Sequence, residues 1–93
     1  MARYISLIRF TEQGARDMKK SAARALAFDK LADKAGVKVE VQLWTAGSFD
    51  GVLLLSGDEK KILGCLAQLV ALGNVRTETL RAFDVAEFKE IVG

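Results

Sequence analysis

The run Val37-Lys38-Val39-Glu40-Val41-Gln42-Leu43-Trp44, followed by Thr45-Ala46-Gly47-Ser48-Phe49-Asp50-Gly51 and then Val52-Leu53-Leu54-Leu55, decides the fold. In the first part apolar residues alternate with Lys38, Glu40, Gln42 and Trp44, the period of a strand with unlike faces. The last part is a short unbroken apolar run, which a strand shows when both of its faces are covered. Gly47 and Ser48 lie between them and permit a tight reversal. The stretch predicts a β-hairpin, with Asp50 and Gly51 where the second strand begins.

Working outward, Arg3 to Phe10 predicts a first strand, with Tyr4, Ser6, Ile8 and Phe10 on one face and Ile5, Leu7 and Arg9 on the other. Thr11 to Lys20 reads as an irregular crossing with a short helical turn, because Gly14 weakens any helix there. Ser21 opens a better helix, in which Ala25, Phe28, Leu31, Ala32 and Ala35 recur at three- and four-residue spacing until Gly36 closes it. A second helix runs from about Asp58 to Leu72, with Ile62, Cys65, Leu66, Leu69 and Leu72 as its apolar stripe. Ser56 and Asp58 are alternative N-caps for it. Val75 to Phe83 predicts the last strand, and Asp84 caps a short terminal helix anchored by Phe88 and Ile91.

Strand, helix, strand, strand, helix, strand is the split βαβ order. It predicts an α+β domain spanning residues 1–93, with a four-stranded antiparallel sheet of order 4-1-3-2 and both helices on one face. The other face is then left apolar and without cover. A second copy of the chain packed sheet to sheet is the simplest shelter, so a homodimer or a larger even-numbered assembly is expected.

Composition narrows the chemistry. The chain is 51% hydrophobic and 28% charged with a net charge of +2, too small to imply a nucleic-acid partner. No run approaches the ~20 apolar residues of a membrane span. One cysteine allows no internal disulfide, and Met1 runs directly into a strand, so a cytoplasmic protein is expected. With no histidine, no cysteine pair and no glycine-rich phosphate loop, the sequence points to no metal and no cofactor. Cys65, on a helix stripe, reads as a buried structural thiol.

The remaining polar residues give a candidate ligand set: Tyr4, Ser6, Trp44, Asp50, Arg76 and Glu78, gathered into a cavity between two facing sheets. A desolvated Asp50 or Glu78 would serve as a general base, with Arg76 opposite a developing oxyanion. Structural roles compete with these: Asp50 as a turn holder, and Arg76 with Glu78 as interface ion pairs. Three functions follow in order: a small-ligand-binding module, a cofactor-free isomerase or oxygenase, and an assembly or regulatory subunit without ligand.

The segments Tyr4-Ile5-Ser6-Leu7-Ile8-Arg9-Phe10-Thr11-Glu12-Gln13-Gly14, Trp44-Thr45-Ala46-Gly47-Ser48-Phe49-Asp50-Gly51 and Leu72-Gly73-Asn74-Val75-Arg76-Thr77-Glu78-Thr79-Leu80-Arg81-Ala82-Phe83 together resemble the GYD domain family. The resemblance implies a ferredoxin-like fold of the dimeric α/β-barrel type and no established activity. The aspartate of the family's glycine-tyrosine-aspartate motif falls on Asp50, while Phe49 stands at its aromatic position and Ser48 at its glycine.

Overall fold

The first strand, β1 (Ala2–Phe10), lies at the centre of the sheet because both its faces carry apolar groups. In the computed structural model, which describes residues 1–93, it pairs antiparallel with β3 (Gly51–Gly57) on one side and β4 (Val75–Ala82) on the other. Strand β2 (Lys38–Trp44) completes the hairpin with β3, giving the order β2-β3-β1-β4, the expected 4-1-3-2. Two crossover helices, α2 (Ser21–Lys34) and α3 (Glu59–Ala71), cover one face.

The core lies between those helices and the sheet. Tyr4, Leu53, Leu55 and Val37 meet Phe28 and Ala32 of α2 and Ile62, Cys65 and Leu66 of α3. The periodicity of both helices is therefore read correctly, except at Leu72, which is 65% exposed. Leu72 is the C-cap, beyond the last full turn, where the stripe no longer faces the sheet. Asp58, not Ser56, caps α3 by accepting from the Lys61 backbone N–H. Gly36 leaves α2 with a φ of 76°, the left-handed geometry that a helix C-terminus requires of its next residue.

The crossing between β1 and α2 is more regular than its sequence suggests. Thr11 accepts from the Gly14 N–H and caps a one-turn helix, α1 (Glu12–Arg16), before a 3-10 turn over Met18–Lys20. Gly14 is buried there, and a Cβ on it would stand 2.0 Å from the Asn74 carbonyl oxygen. Absence of a side chain, not helix weakness, explains this glycine: it lets α1 close onto the start of β4.

Strand β2 departs from strict alternation. A bulge between Val39 and Val41 inserts Glu40, so Val39 stays on the helix side while Val41 and Leu43 turn to the other. Alternation alone places all the valines on one face, and the bulge corrects that expectation. Gln42 and Trp44 consequently share the helix-side face with Val39.

The face away from α2 and α3 carries Ile5 and Leu7 of β1, Val52 and Leu54 of β3, Val41 and Leu43 of β2 and Leu80 of β4. Leu43 and Leu80 are 58% and 48% exposed. After β4, a capping box in which Asp84 and Glu87 exchange side-chain and backbone hydrogen bonds starts α4 (Val85–Val92). This helix makes no extended contact with any other element. No helix is long and apolar enough to cross a membrane.

Candidate functional site

A cleft of about 290 Å³ opens between α2, α3 and the hairpin end of the sheet. Its walls are apolar: Ala25, Phe28 and Leu31 from α2, Leu69 from α3, and Ile8 and Leu53 from the sheet. Each follows from the periodicity that builds the core: Phe28, Leu31 and Leu69 belong to the helix stripes packed on the sheet, and Ile8 and Leu53 to the sheet's helix side. Polar groups gather at its margin, from Arg24, Gln42, Trp44, Asp50, Gln68 and Asn74. Predominantly apolar walls with a few placed polar groups are the make-up of small-molecule sites.

Asp50 is fixed more tightly than a turn residue needs to be. Its N–H donates to the Ile8 carbonyl at 2.7 Å, its carbonyl accepts from the Thr45 N–H at 2.9 Å, and its Oδ2 accepts from the Phe10 N–H at 2.9 Å. The carboxylate thereby extends the β1–β3 ladder past Gly51 and holds the hairpin against the end of β1. Its second oxygen, Oδ1, accepts no hydrogen bond from the chain. Neighbouring Arg9 reinforces the clamp, donating to the Ser48 carbonyl at 3.0 Å and lying 4.2 Å from the Phe49 ring centroid.

Trp44 closes the other side. Its indole N–H donates to the Ser21 hydroxyl at 2.9 Å, joining the end of β2 to the first residue of α2 across the cleft margin. Arg24 spends its guanidinium on backbone carbonyls, those of Asp17 and Gly14, both at 3.2 Å, and so straps the α1 crossing to α2. Gln42 makes a long 3.5 Å contact to the Ala25 carbonyl.

The six residues that the sequence gathers into one set occupy three places. Trp44 and Asp50 line the cleft. Tyr4 and Ser6 are buried on the helix side with partners of their own: the Tyr4 hydroxyl donates to the Glu59 carboxylate, and Ser6 shares a 3.0 Å hydroxyl pair with Thr79. The Glu59 carboxylate holds the Tyr4 proton and, with burial, pushes the phenol above its ordinary value. Arg76 and Glu78 lie across the sheet, opposite Arg9 and Leu7, exposed and with no ion-pair partner in the chain. The expectation that Arg76 and Glu78 share a face with Tyr4 and Ser6 is thus corrected: one residue of register separates Arg76 and Glu78 from Thr77 and Thr79, and the pleat sends them to opposite faces.

Other cleft residues carry no functional signal in the sequence. Arg24 reads as a solvated helix charge and Asn74 as a helix terminator. The clue to Asn74 is Gly14, whose missing side chain brings α1 onto that backbone. Cys65 is 2% exposed, and burial pushes its thiol up, as suits an inert core position.

A family model described as GYD domain matches residues 4–92. Among solved structures, TTHA0845 from Thermus thermophilus is similar at 26% identity and a TM-score of 0.64, over 91% of this chain and 96% of that one. A feast or famine regulatory protein (Rv3291c) from M. tuberculosis, complexed with L-methionine, matches at 19% identity and a TM-score of 0.66, over 91% of this chain and 52% of its own. A homoserine dehydrogenase from Thiobacillus denitrificans matches at 19% identity and a TM-score of 0.57, but this chain spans only 17% of it. No functionally curated protein matches the sequence.

Proposed function

This chain belongs to the GYD domain family, and we propose that it is a homo-oligomeric module that binds a small, largely apolar molecule in the cleft between its helices and its sheet. The observation that carries the reading is the cleft itself: apolar walls from α2, α3 and the sheet, with the Asp50 carboxylate fixed at its margin and one carboxylate oxygen unclaimed. At about 290 Å³ the volume falls just below the ~300–1,000 Å³ range of ligand pockets, so the ligand is small. An apolar body with one hydrogen-bond donor matches the walls and the free acceptor. On this reading the site lies on the helix side of the sheet, not between facing sheets as the sequence alone suggests, and the open sheet face is free for self-association.

The comparisons support this at the level of fold. A structural neighbour, about half of which this chain spans, is a regulatory protein complexed with L-methionine; the likeness is one of fold. Sheet-to-sheet pairing of two copies is the proposed assembly, since it shelters Ile5, Leu7, Val52 and Leu54 together. The lone cysteine is in keeping with a reducing, cytoplasmic setting.

The test is a thermal melt with 2-naphthol, an apolar probe with one donor. Saturable stabilisation that grows with probe concentration is expected. It should vanish in Ala27→Trp, which fills the cleft from an exposed helix position. No stabilisation at millimolar probe, or an undiminished shift in Ala27→Trp, would remove the cleft as the site.

A further inference from the structure

Only two of the side chains lining the cleft are charged, Arg24 and Asp50, and they are of opposite sign. No ion pair joins them. Each is held by the backbone instead. Asp50 Oδ2 accepts from the Phe10 N–H, which fixes the carboxylate at the end of β1. Arg24 donates from its two terminal nitrogens to the Asp17 and Gly14 carbonyls, which anchors the guanidinium on the α1 crossing. Neither group is saturated: Asp50 keeps Oδ1, and Arg24 keeps three of the five N–H donors of a guanidinium. Ser21, the first residue of α2, also lines the cleft, so the positive end of the helix dipole stands with the cation.

These two fixed charges sort the ligand classes. An anion with an apolar body satisfies Arg24 and brings a like charge to Asp50, and a cation does the reverse. A neutral molecule with one donor serves Asp50 and leaves Arg24 unmatched. In each case a half-buried charge loses water to the ligand without gaining a partner. A zwitterion matches both charges at once. Its body must be apolar, because Phe28, Leu31 and Leu69 offer no hydrogen bond to a polar side chain. A cleft of about 290 Å³ takes one small molecule, so both ligand charges sit on that molecule.

We propose that the ligand of this cleft is an amino acid with an apolar side chain, its ammonium on Asp50 Oδ1, its carboxylate on the free N–H groups of Arg24 and its side chain against Phe28, Leu31 and Leu69. The inference rests on the cleft being the binding site and adds the class of molecule that the cleft takes. Asp50 then has a separate task for each oxygen: Oδ2 holds the hairpin to β1 and Oδ1 holds the ligand.

The experiment measures dissociation constants by methyl NMR, near neutral pH and at one ionic strength, for L-leucine and two truncated analogues. One is 3-methylbutylamine, which lacks the carboxylate, and the other is 4-methylpentanoate, which lacks the ammonium; 2-naphthol is the uncharged reference. Leucine is expected to shift Leu31, Leu53 and Leu69 and to bind about 10-fold more tightly than either analogue, as one charge-assisted hydrogen bond at a half-buried site contributes. Asp50→Asn, which keeps an oxygen for the Phe10 N–H, should erase the advantage over 4-methylpentanoate and preserve that over 3-methylbutylamine. Arg24→Gln should do the opposite. Leucine that binds no more tightly than its analogues, while 2-naphthol still shifts the cleft methyls, overturns the zwitterion and leaves the cleft standing. If neither leucine nor 2-naphthol shifts those methyls, the cleft falls as the site and this inference falls with it. An Asp50→Asn variant that keeps leucine's full advantage over 4-methylpentanoate also overturns the inference. Should Arg24→Gln fail to fold, since it loses its bonds to Asp17 and Gly14 as well, the same ligands on the parent chain and on Asp50→Asn decide the question.

Discussion

Replacing Asp50 with alanine removes the only side-chain acceptor for the Phe10 N–H, a half-buried donor at the point where β1 leaves the sheet. A hydrogen bond to a charged acceptor contributes about 1.5–3 kcal/mol, and the donor left behind costs part of its desolvation. Because Asp50 is not fully buried, about 2 kcal/mol is the appropriate figure. For a domain of this size that corresponds to a fall of about 8–16 °C in melting temperature. Asp50→Asn keeps an oxygen acceptor of the same shape and loses only the charge, so it should cost about 0.5–1 kcal/mol. Urea unfolding followed by Trp44, the chain's one tryptophan, measures both, at equal protomer concentration because association couples to folding. An Asp50→Ala variant within about 0.5 kcal/mol of the parent would show that the carboxylate does not hold the hairpin, and the account of the motif would be wrong.

Four further outcomes follow. Gly14→Ala forces a Cβ to within 2.0 Å of the Asn74 carbonyl oxygen, so α1 or the start of β4 must move; a loss of about 2–4 kcal/mol is expected by urea titration. Tyr4 is the sole tyrosine, and its hydrogen bond to Glu59 favours the protonated phenol. That contribution is full below the ordinary phenol value near ~10 and disappears as pH climbs through the higher native value. Ultraviolet titration should therefore find a native midpoint above that of the unfolded chain, moving down in Glu59→Gln. Asp84 is held below the usual carboxylate range by the Glu87 backbone N–H and by Arg3, so its contribution is full above about pH 4 and lost as pH falls through its native value. Acid titration of helicity should show that loss, and Asp84→Asn should abolish it. Cys65 should fail to react with Ellman's reagent at pH 8 in the native protein within minutes and release one equivalent in denaturant.

Much of the fold was legible because local signals agreed with one another. Capping at Asp84, the stripe of Phe28, Leu31 and Ala32, the stop at Gly36 and the β-branched run from Val75 all describe single elements, and element order then limits topology to few choices. What escaped was relational. The bulge at Glu40 leaves no mark in an otherwise perfect alternation, and it exchanges the faces of Val41 and Gln42. Likewise, nothing in β4 says which of its two alternating sets meets the helices. Register with β1 decides that, and it parts Arg76 and Glu78 from Tyr4 and Ser6. The cleft is illegible for the same reason: its lining comes from two helices and the sheet at once, and no single stretch encodes it. For Asp50 the turn-holding role read from the sequence is too local, since its partner, Phe10, lies 40 residues away.

Methyl and aromatic NMR of the full chain titrated with 2-naphthol puts the ligand-binding cleft to its most direct trial. The account predicts saturable shifts confined to Phe28, Leu31, Leu53 and Leu69, with Ile5, Leu7 and Leu54 on the opposite face unmoved. Shifts centred on Ile5, Leu7 and Leu54 would contradict it, as would a spectrum unchanged at millimolar probe.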